Sequence, residues 1–412
     1  MTSPSRRMRF GYYDVAAFFA FSAYASASVV APVSLVLIAR DLGFPLEEGG
    51  MSAGGALHLG RTVPMVAAML LCGFAAGLWG CRRTFGAAVL LMGIGIGLCS
   101  IAPVYGVLFL ALLVAGVGEG VIEGLATPFV QKLHPDEPGR YINFTHAFWS
   151  VGVLVTVLSA GALLAAGVSW RLVVGAVALL AAVPAVMLLL PQREGRRYPD
   201  NPEPLRWRAV WERAAAILRT RRFWLYFGAM FLAGGGEYGL TFWTASHIQL
   251  HFGASAWAGG VGTACFAAGM IAGRTGWGYL LHQRHLRALV LWSALIGAVV
   301  TLGIPHAGSL GVLYAMLLVA GVATAPFWPS IQSHCADRMP RADATMLFIL
   351  LSCAGIPGCG FITWLMGYVA NQAGGLGPAF VVVPACYLAL AALVLADRQR
   401  DAPPHAPRGD AA

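Results

Sequence analysis

Twelve long apolar stretches constrain this chain before any motif does. They run 12–37, 49–78, 84–101, 105–131, 141–166, 169–190, 222–250, 255–281, 287–304, 310–335, 342–369 and 377–396. A helix of about 20 residues spans the roughly 30 Å of a bilayer's hydrocarbon core. In that medium every backbone N–H and C=O must be bonded internally, so such segments become helices. The chain is 58% hydrophobic and 11% charged, where a soluble domain carries about 25% charged residues. An all-α membrane protein with twelve transmembrane helices is expected.

The net charge of +9 could point to nucleic acid, but its distribution argues otherwise. Of the 27 Lys and Arg residues, all but Arg40, Arg61, Arg171 and Arg274 fall in connecting segments of one parity. That asymmetry is the mark of membrane orientation, and it places both termini in the cytoplasm. The leader MTSPSRRMRF is basic and runs straight into a full-length span, so no cleavable signal peptide is read there. The expected setting is a bacterial inner membrane, crossed many times by a monomer, with the lipid bilayer as solvent and no nucleic acid as partner. The eight cysteines form no CxxC pair and lie mostly in apolar spans. They read as small packing residues, with no metal site and no cofactor.

The chain also repeats itself. LLVAGV at 112–117 returns at 317–322, an offset of 205 residues, and His134-Pro135 falls on Met339-Pro340 at the same offset. A repeat at half the chain length implies two related halves. Residues 1–190 are expected to form one six-helix bundle and 222–398 a second, pseudo-symmetric with it. Residues 191–221 join them, and 399–412 read as a disordered tail. Within the linker, Trp207, Val210, Trp211, Ala214 and Leu218 recur at helical spacing with arginines between them. This stretch reads either as a helix lying on the inner leaflet or as a plain linker helix.

A charge at bilayer depth costs about 2.5–3.5 kcal/mol on insertion scales, so each is a functional candidate unless a salt bridge explains it. Glu119 and Glu123 lie one turn apart and border the glycine stripe Gly116, Gly120, Gly124, which invites close helix packing. Both must face the bundle interior, where a desolvated carboxyl can serve as a proton carrier. Arg61 is the expected partner of Glu119. Arg274 reads as structural, tied to the inner loop with Arg82 and Arg83. Glu237 follows three glycines, Gly234 to Gly236. A helix able to unwind there, with Glu237 lining a cavity, is expected. His146 lies at a depth similar to Glu123 and could pass a proton; bonding to a backbone carbonyl is an equal alternative. Trp149, Trp243 and Trp328 could stack on a sugar ring or could simply pack. Thr127, Asn143 and Gln332 could bond ligand hydroxyls.

Two six-helix halves with a basic central loop resemble the major facilitator superfamily. Gly73, Gly77, Arg82 and Arg83 keep part of that family's loop signature, but its aspartate is missing. Gly120-Val-Ile-Glu123-Gly-Leu-Ala-Thr127-Pro128, followed by Asn143-Phe-Thr-His146-Ala-Phe148-Trp149, resembles spans four and five of the fucose–galactose–glucose proton symporters and wider sugar-transporter relatives. Gly269-Met-Ile-Ala-Gly273-Arg274 resembles their span eight. The resemblance implies that Glu123 couples protons and contacts sugar. It puts His146 where the family has a sugar-binding glutamine, Trp149 where it has an asparagine, and Thr127 in place of another asparagine. Span one lacks the family's mid-span amides and aspartate. The expected function is a secondary transporter of a small organic solute, a sugar or sugar-like compound, working by alternating access with proton coupling. A proton-coupled efflux carrier for amphipathic compounds is the alternative. An enzyme is not expected: His134-Pro135-Asp136 is only superficially like an acyltransferase pair, and its repeat partner lacks the histidine.

Overall fold

The computed structural model describes residues 8–136, 138–192, 197–200, 204–280 and 283–397. The expected tail at 399–412 lies outside them. The described residues form helices and connecting segments, with no strand. The first half holds α1 (Tyr12–Asp41), α2 (Met51–Trp79), α3 (Cys81–Ser100), α4 (Tyr105–Leu133), α5 (Pro138–Ala165) and α6 (Trp170–Leu189). The linker carries α7 (Trp207–Leu218). The second half holds α8 (Arg221–His251), α9 (Ala256–Leu280), α10 (Leu286–Leu302), α11 (Leu310–Thr324), α12 (Phe327–Arg338), α13 (Ala344–Ala373), α14 (Leu376–Ala379) and α15 (Val382–Ala396). The tenth span is split into α11 and α12 beside Pro326, and the twelfth into α14 and α15.

Eleven spans among the described residues are long and apolar enough to cross a membrane. Helix α8 stands where the seventh span is expected and has 31 residues, but its glycines and polar side chains lower its apolarity. With it the fold is two six-helix bundles in a multi-pass membrane protein.

The repeat is visible in the packing. Gly116 of α4 sits on the Arg61 carbonyl of α2, and Gly321 of α11 sits on the Phe266 carbonyl of α9. Both residues of the second pair lie 205 positions after those of the first. A Cβ at either glycine would collide with backbone, so small residues set these helix separations. The arginines of the basic loops repeat as well. Arg82 donates to the Leu188 and Leu190 carbonyls, and Arg287 donates to the Val394 carbonyl at 3.2–3.3 Å. Each covers orphan carbonyls at the end of its half's last helix. Arg83, by contrast, is exposed.

The halves meet through α2 with α13 and α5 with α9. At the end opposite the basic loops these contacts are close. There the Asn371 amide donates to the Gly49 carbonyl (2.7 Å) and Ser52 Oγ (2.8 Å) and accepts from the Met51 amide. Gly161 packs on Ala256 and Gly260 nearby. The run Gly234–Gly236 does not unwind. Helix α8 is continuous through it, and the glycines let α13 and α15 approach. A Cβ on Gly234 would lie 2.6 Å from the Gly355 carbonyl oxygen.

The linker is anchored to the first half. Tyr198 is buried, donates to the Phe129 carbonyl (3.0 Å) and stacks on the Phe129 ring. Asp200 accepts from the backbone amides of Cys81 (2.8 Å) and Arg82 (3.2 Å), capping α3. Gly80, which precedes α3, has φ +87° and leaves room for that carboxylate. Helix α7 then packs Ala214 and Ile217 inward. Trp207 meets Phe74 of the first half, and Arg213 faces Asp343 at the start of α13.

A central site between the halves

Proline 32 prepares one wall of the site. It interrupts α1 and has no amide to give, so the Ser28 carbonyl one turn back is freed. Tyr238 of α8 donates its hydroxyl to that carbonyl at 2.9 Å, crossing from one half to the other. The Tyr238 ring stacks on His58 of α2, with centroids 4.0 Å apart and planes within 5°. Beside them Arg61 and Glu119 form a two-point ion pair, with Nε to Oε2 at 2.6 Å and Nη2 on Oε1. Arg61 Nη2 also donates to the Ala27 carbonyl at 3.0 Å. Both side chains are at most 4% exposed. This layer closes the middle of the molecule.

Toward the basic end the same face of α4 opens. Glu119 is buried, Glu123 half-buried and Thr127 exposed. These residues lie four apart, so they share one side of the helix. On α5, His146 is exposed, while Ser150 and Val153, on the same face further along, are buried. The pattern describes a cavity that narrows from the basic end down to the Arg61–Glu119 layer. Glu123 lies near Tyr24 of α1 and has no ion-pair partner among the described residues. His146 Nε2 lies 3.4 Å from Thr127 Oγ1, and its ring rests on Phe21. His146 is thus joined to Thr127 and not to a backbone carbonyl.

The other half supplies Glu237 and Arg274. Arg274 was expected at the inner loop, yet its Nη2 lies 3.3 Å from Glu237 Oε1. The long three-methylene stem of an arginine explains the difference: the backbone sits toward the basic end while the guanidinium extends to Glu237. Trp328 and Trp149 are half-buried, and Gln332 donates to Ser352 Oγ at 3.3 Å. The side chain of Asn143 lies outside those described. Trp243 does not line the cavity. It is fully buried and donates Nε1–H to the Thr363 carbonyl at 2.9 Å, packing α8 against α13. Its indole is satisfied there and has no face left for a ligand.

Two site residues were not read from the sequence, Tyr24 and Tyr238. Each had a signal. Tyr24 lies in the otherwise small-residue run of α1, and Tyr238 follows Glu237 directly. His134, in turn, bonds Asp14 of α1 (2.7 Å) and stacks on Tyr141 at 3.5 Å. It ties α1, α4 and α5 together at the basic end.

The chain matches the family model described as Major Facilitator Superfamily over residues 16–359. Among solved structures it is similar to a variant of the E. coli fucose:proton symporter FucP, with 17% identity and a TM-score of 0.63 over 95% of this chain and 100% of that one. It is similar to the nucleoside transporter NupG, with 15% identity and a TM-score of 0.72 over 93% and 98%. It is also similar to a bacterial homologue of the human lysosomal transporter Spinster in an inward-facing, unoccupied conformation, with 18% identity and a TM-score of 0.69 over 93% and 94%. A search of curated proteins finds no match.

Proposed function

Because the chain belongs to the major facilitator superfamily, a family of transporters and not of enzymes, we propose that it moves a small organic solute, sugar or sugar-like, by proton-coupled alternating access. The observation that carries this reading is the contrast between two carboxylates one turn apart. Glu119 is neutralised by a two-point pair with Arg61, whereas Glu123 is half-buried toward the basic end and has no ion-pair partner among the described residues. A carboxyl in that position can take a proton from the cavity and give it up when its surroundings change. The neighbours named for fucose–proton symport and nucleoside transport agree with a small polar solute.

The basic end is taken as cytoplasmic by the arginine asymmetry, in a bacterial inner membrane. The conformation is then open inward and closed outward by the Asn371, Gly161 and Tyr238 contacts. Rocking of the two halves about the Arg61–Glu119 layer would reverse that access. His146 and Thr127 form the path by which Glu123 meets cavity water. Trp149, Trp328 and Gln332 border the solute.

The test is Glu123→Gln in proteoliposomes, against radiolabelled sugars, sugar acids and nucleosides. The variant should still exchange solute for solute at equilibrium and should lose accumulation driven by an imposed pH gradient. Gradient-driven accumulation at the wild-type level would refute the assignment of Glu123.

A further inference from the structure

Two arginine–glutamate pairs sit inside the bundle, and they differ in kind. Arg61 engages Glu119 through two nitrogens and a backbone carbonyl through one of them, and both partners are enclosed. Arg274 touches Glu237 at one point, 3.3 Å, with 33% of the arginine side chain and 14% of the glutamate exposed. Arg274 Nε is buried and donates to no acceptor among the described residues. A guanidinium carries five N–H donors in a planar fork shaped for two oxygens. One long contact leaves most of that fork unused, in a place where an idle charge is expensive. The first pair is a finished structural joint. The second is an arginine with capacity to spare, facing the cavity.

We propose that the solute carries an acidic group, a carboxylate or phosphate, that takes the Arg274 guanidinium from Glu237. The bidentate geometry favours an oxyanion over a sugar hydroxyl. The step has a consequence for Glu237. Arg274 is the cation acting on it among the described residues; the other titratable groups nearby are Cys359 of α13 and Tyr387 of α15. The same guanidinium acts across the cavity on Glu123 of α4 and His146 of α5. Once its cation is lost, the half-buried Glu237 carboxylate binds a proton from cavity water. That proton balances the charge of the bound anion, and the gradient-driven proton stays with Glu123. This names the substrate class within the proton-coupled reading above, and it rests on that reading for its direction of transport.

The experiment uses the purified full-length protein in detergent, with gluconate, glucuronate, lactate and glucose 6-phosphate as acidic probes. Uncharged glucose and cationic rhodamine 6G are the controls. At least one acid should raise the melting temperature while both controls leave it unchanged, and the responding acid separates carboxylate from phosphate recognition. Its affinity should rise toward tenfold for each pH unit of acidification, because binding takes up a proton. Arg274→Gln should weaken it about tenfold or more, and Arg274→Lys should retain part, which shows that the scaffold still folds. Glu237→Gln should bind the acid with the pH dependence flattened. Protection by glucose or rhodamine 6G equal to that by every acid, protection by no acid, or unchanged affinity in Arg274→Gln overturns the proposal. Proteoliposome flux separates this from the broader reading. Gradient-driven transport with unaltered affinity in Arg274→Gln would sink the anion site and leave the coupled carrier. Acid binding without any gradient-driven flux would do the reverse.

Discussion

Arg61 and Glu119 close on each other from α2 and α4 near the centre of the molecule, Nε to Oε2 at 2.6 Å, with neither side chain more than 4% exposed. Removing one partner strands the other in a dry interior. Glu119→Gln or Arg61→Met alone should each destabilise the protein by about 3–5 kcal/mol. Arg61→Met with Glu119→Leu should recover much of that, because the pair's own desolvation cost disappears. Thermal unfolding in detergent, run as a double-mutant cycle, checks both statements. Additive single losses would show that the two residues do not act as a pair.

Tyr238 spans the halves by donating to the Ser28 carbonyl. Tyr238→Phe keeps the ring on His58 and deletes only that bond, worth about 1 kcal/mol. The population open at the end away from the basic loops should rise about fivefold. Spin labels in the loops at 42–50 and 252–255, in a cysteine-free background, should report it as a longer-distance component. An unchanged distance distribution would mean the bond does not hold that end shut.

Glycine spacing makes a paired prediction on one helix. A Cβ at Gly120 would lie 2.7 Å from the Met65 carbonyl carbon, whereas a Cβ at Gly106 would meet nothing within 4 Å. Gly120→Ala should cost about 1–3 kcal/mol by forcing α2 and α4 apart. Gly106→Ala should be neutral or stabilise by up to about 1 kcal/mol through helix propensity. Melting temperatures of the two variants decide it, and equal effects would contradict the packing.

Tyr198 ties the linker to the first half and gives a pH signature outside the membrane. Burial raises its hydroxyl pKa above the ordinary tyrosine value, with Cys81 and Asp200 adding to the effect. The folded state holds the proton more tightly than the unfolded chain. The resulting stability is complete below about pH 10 and is lost as pH rises past it, since the unfolded tyrosine then ionises first. Wild-type protein should therefore lose stability above about pH 10 more steeply than Tyr198→Phe. At neutral pH the variant should be weaker by about 1 kcal/mol for its lost bond to the Phe129 carbonyl. Parallel alkaline melting profiles would exclude a contribution from Tyr198.

How much of this was legible beforehand depends on the residue. The pairing of Arg61 with Glu119 could be anticipated from depth, because two opposite charges at one level of a bilayer have few other partners. The Gly116–Arg61 and Gly321–Phe266 contacts lie at the repeat offset already present in the sequence. Trp243 and Trp149 look alike as letters, yet one is sealed against Thr363 and the other is half-buried. Arg274 reads as a structural residue near the cytoplasmic end of its span, tied to the inner loop, and instead reaches Glu237 through its length. The three glycines before Glu237 read as a place to unwind and prove to be a packing surface.

The sequence alone determined the number of spans, the two-fold build, the basic end and the identity of the buried charges. Each follows from hydrocarbon thickness, chain repetition and the cost of a charge in lipid, which act on residues one at a time. Tertiary structure alone decided which face of each helix looks inward. In a membrane the lipid side and the packed side are both apolar, so periodicity carries little rotational information. Close contacts set the rotation instead, such as Gly116 on the Arg61 carbonyl and Tyr238 on the carbonyl freed by Pro32. Those contacts leave Glu123 open to the cavity, and they keep Glu119 one turn away out of reach.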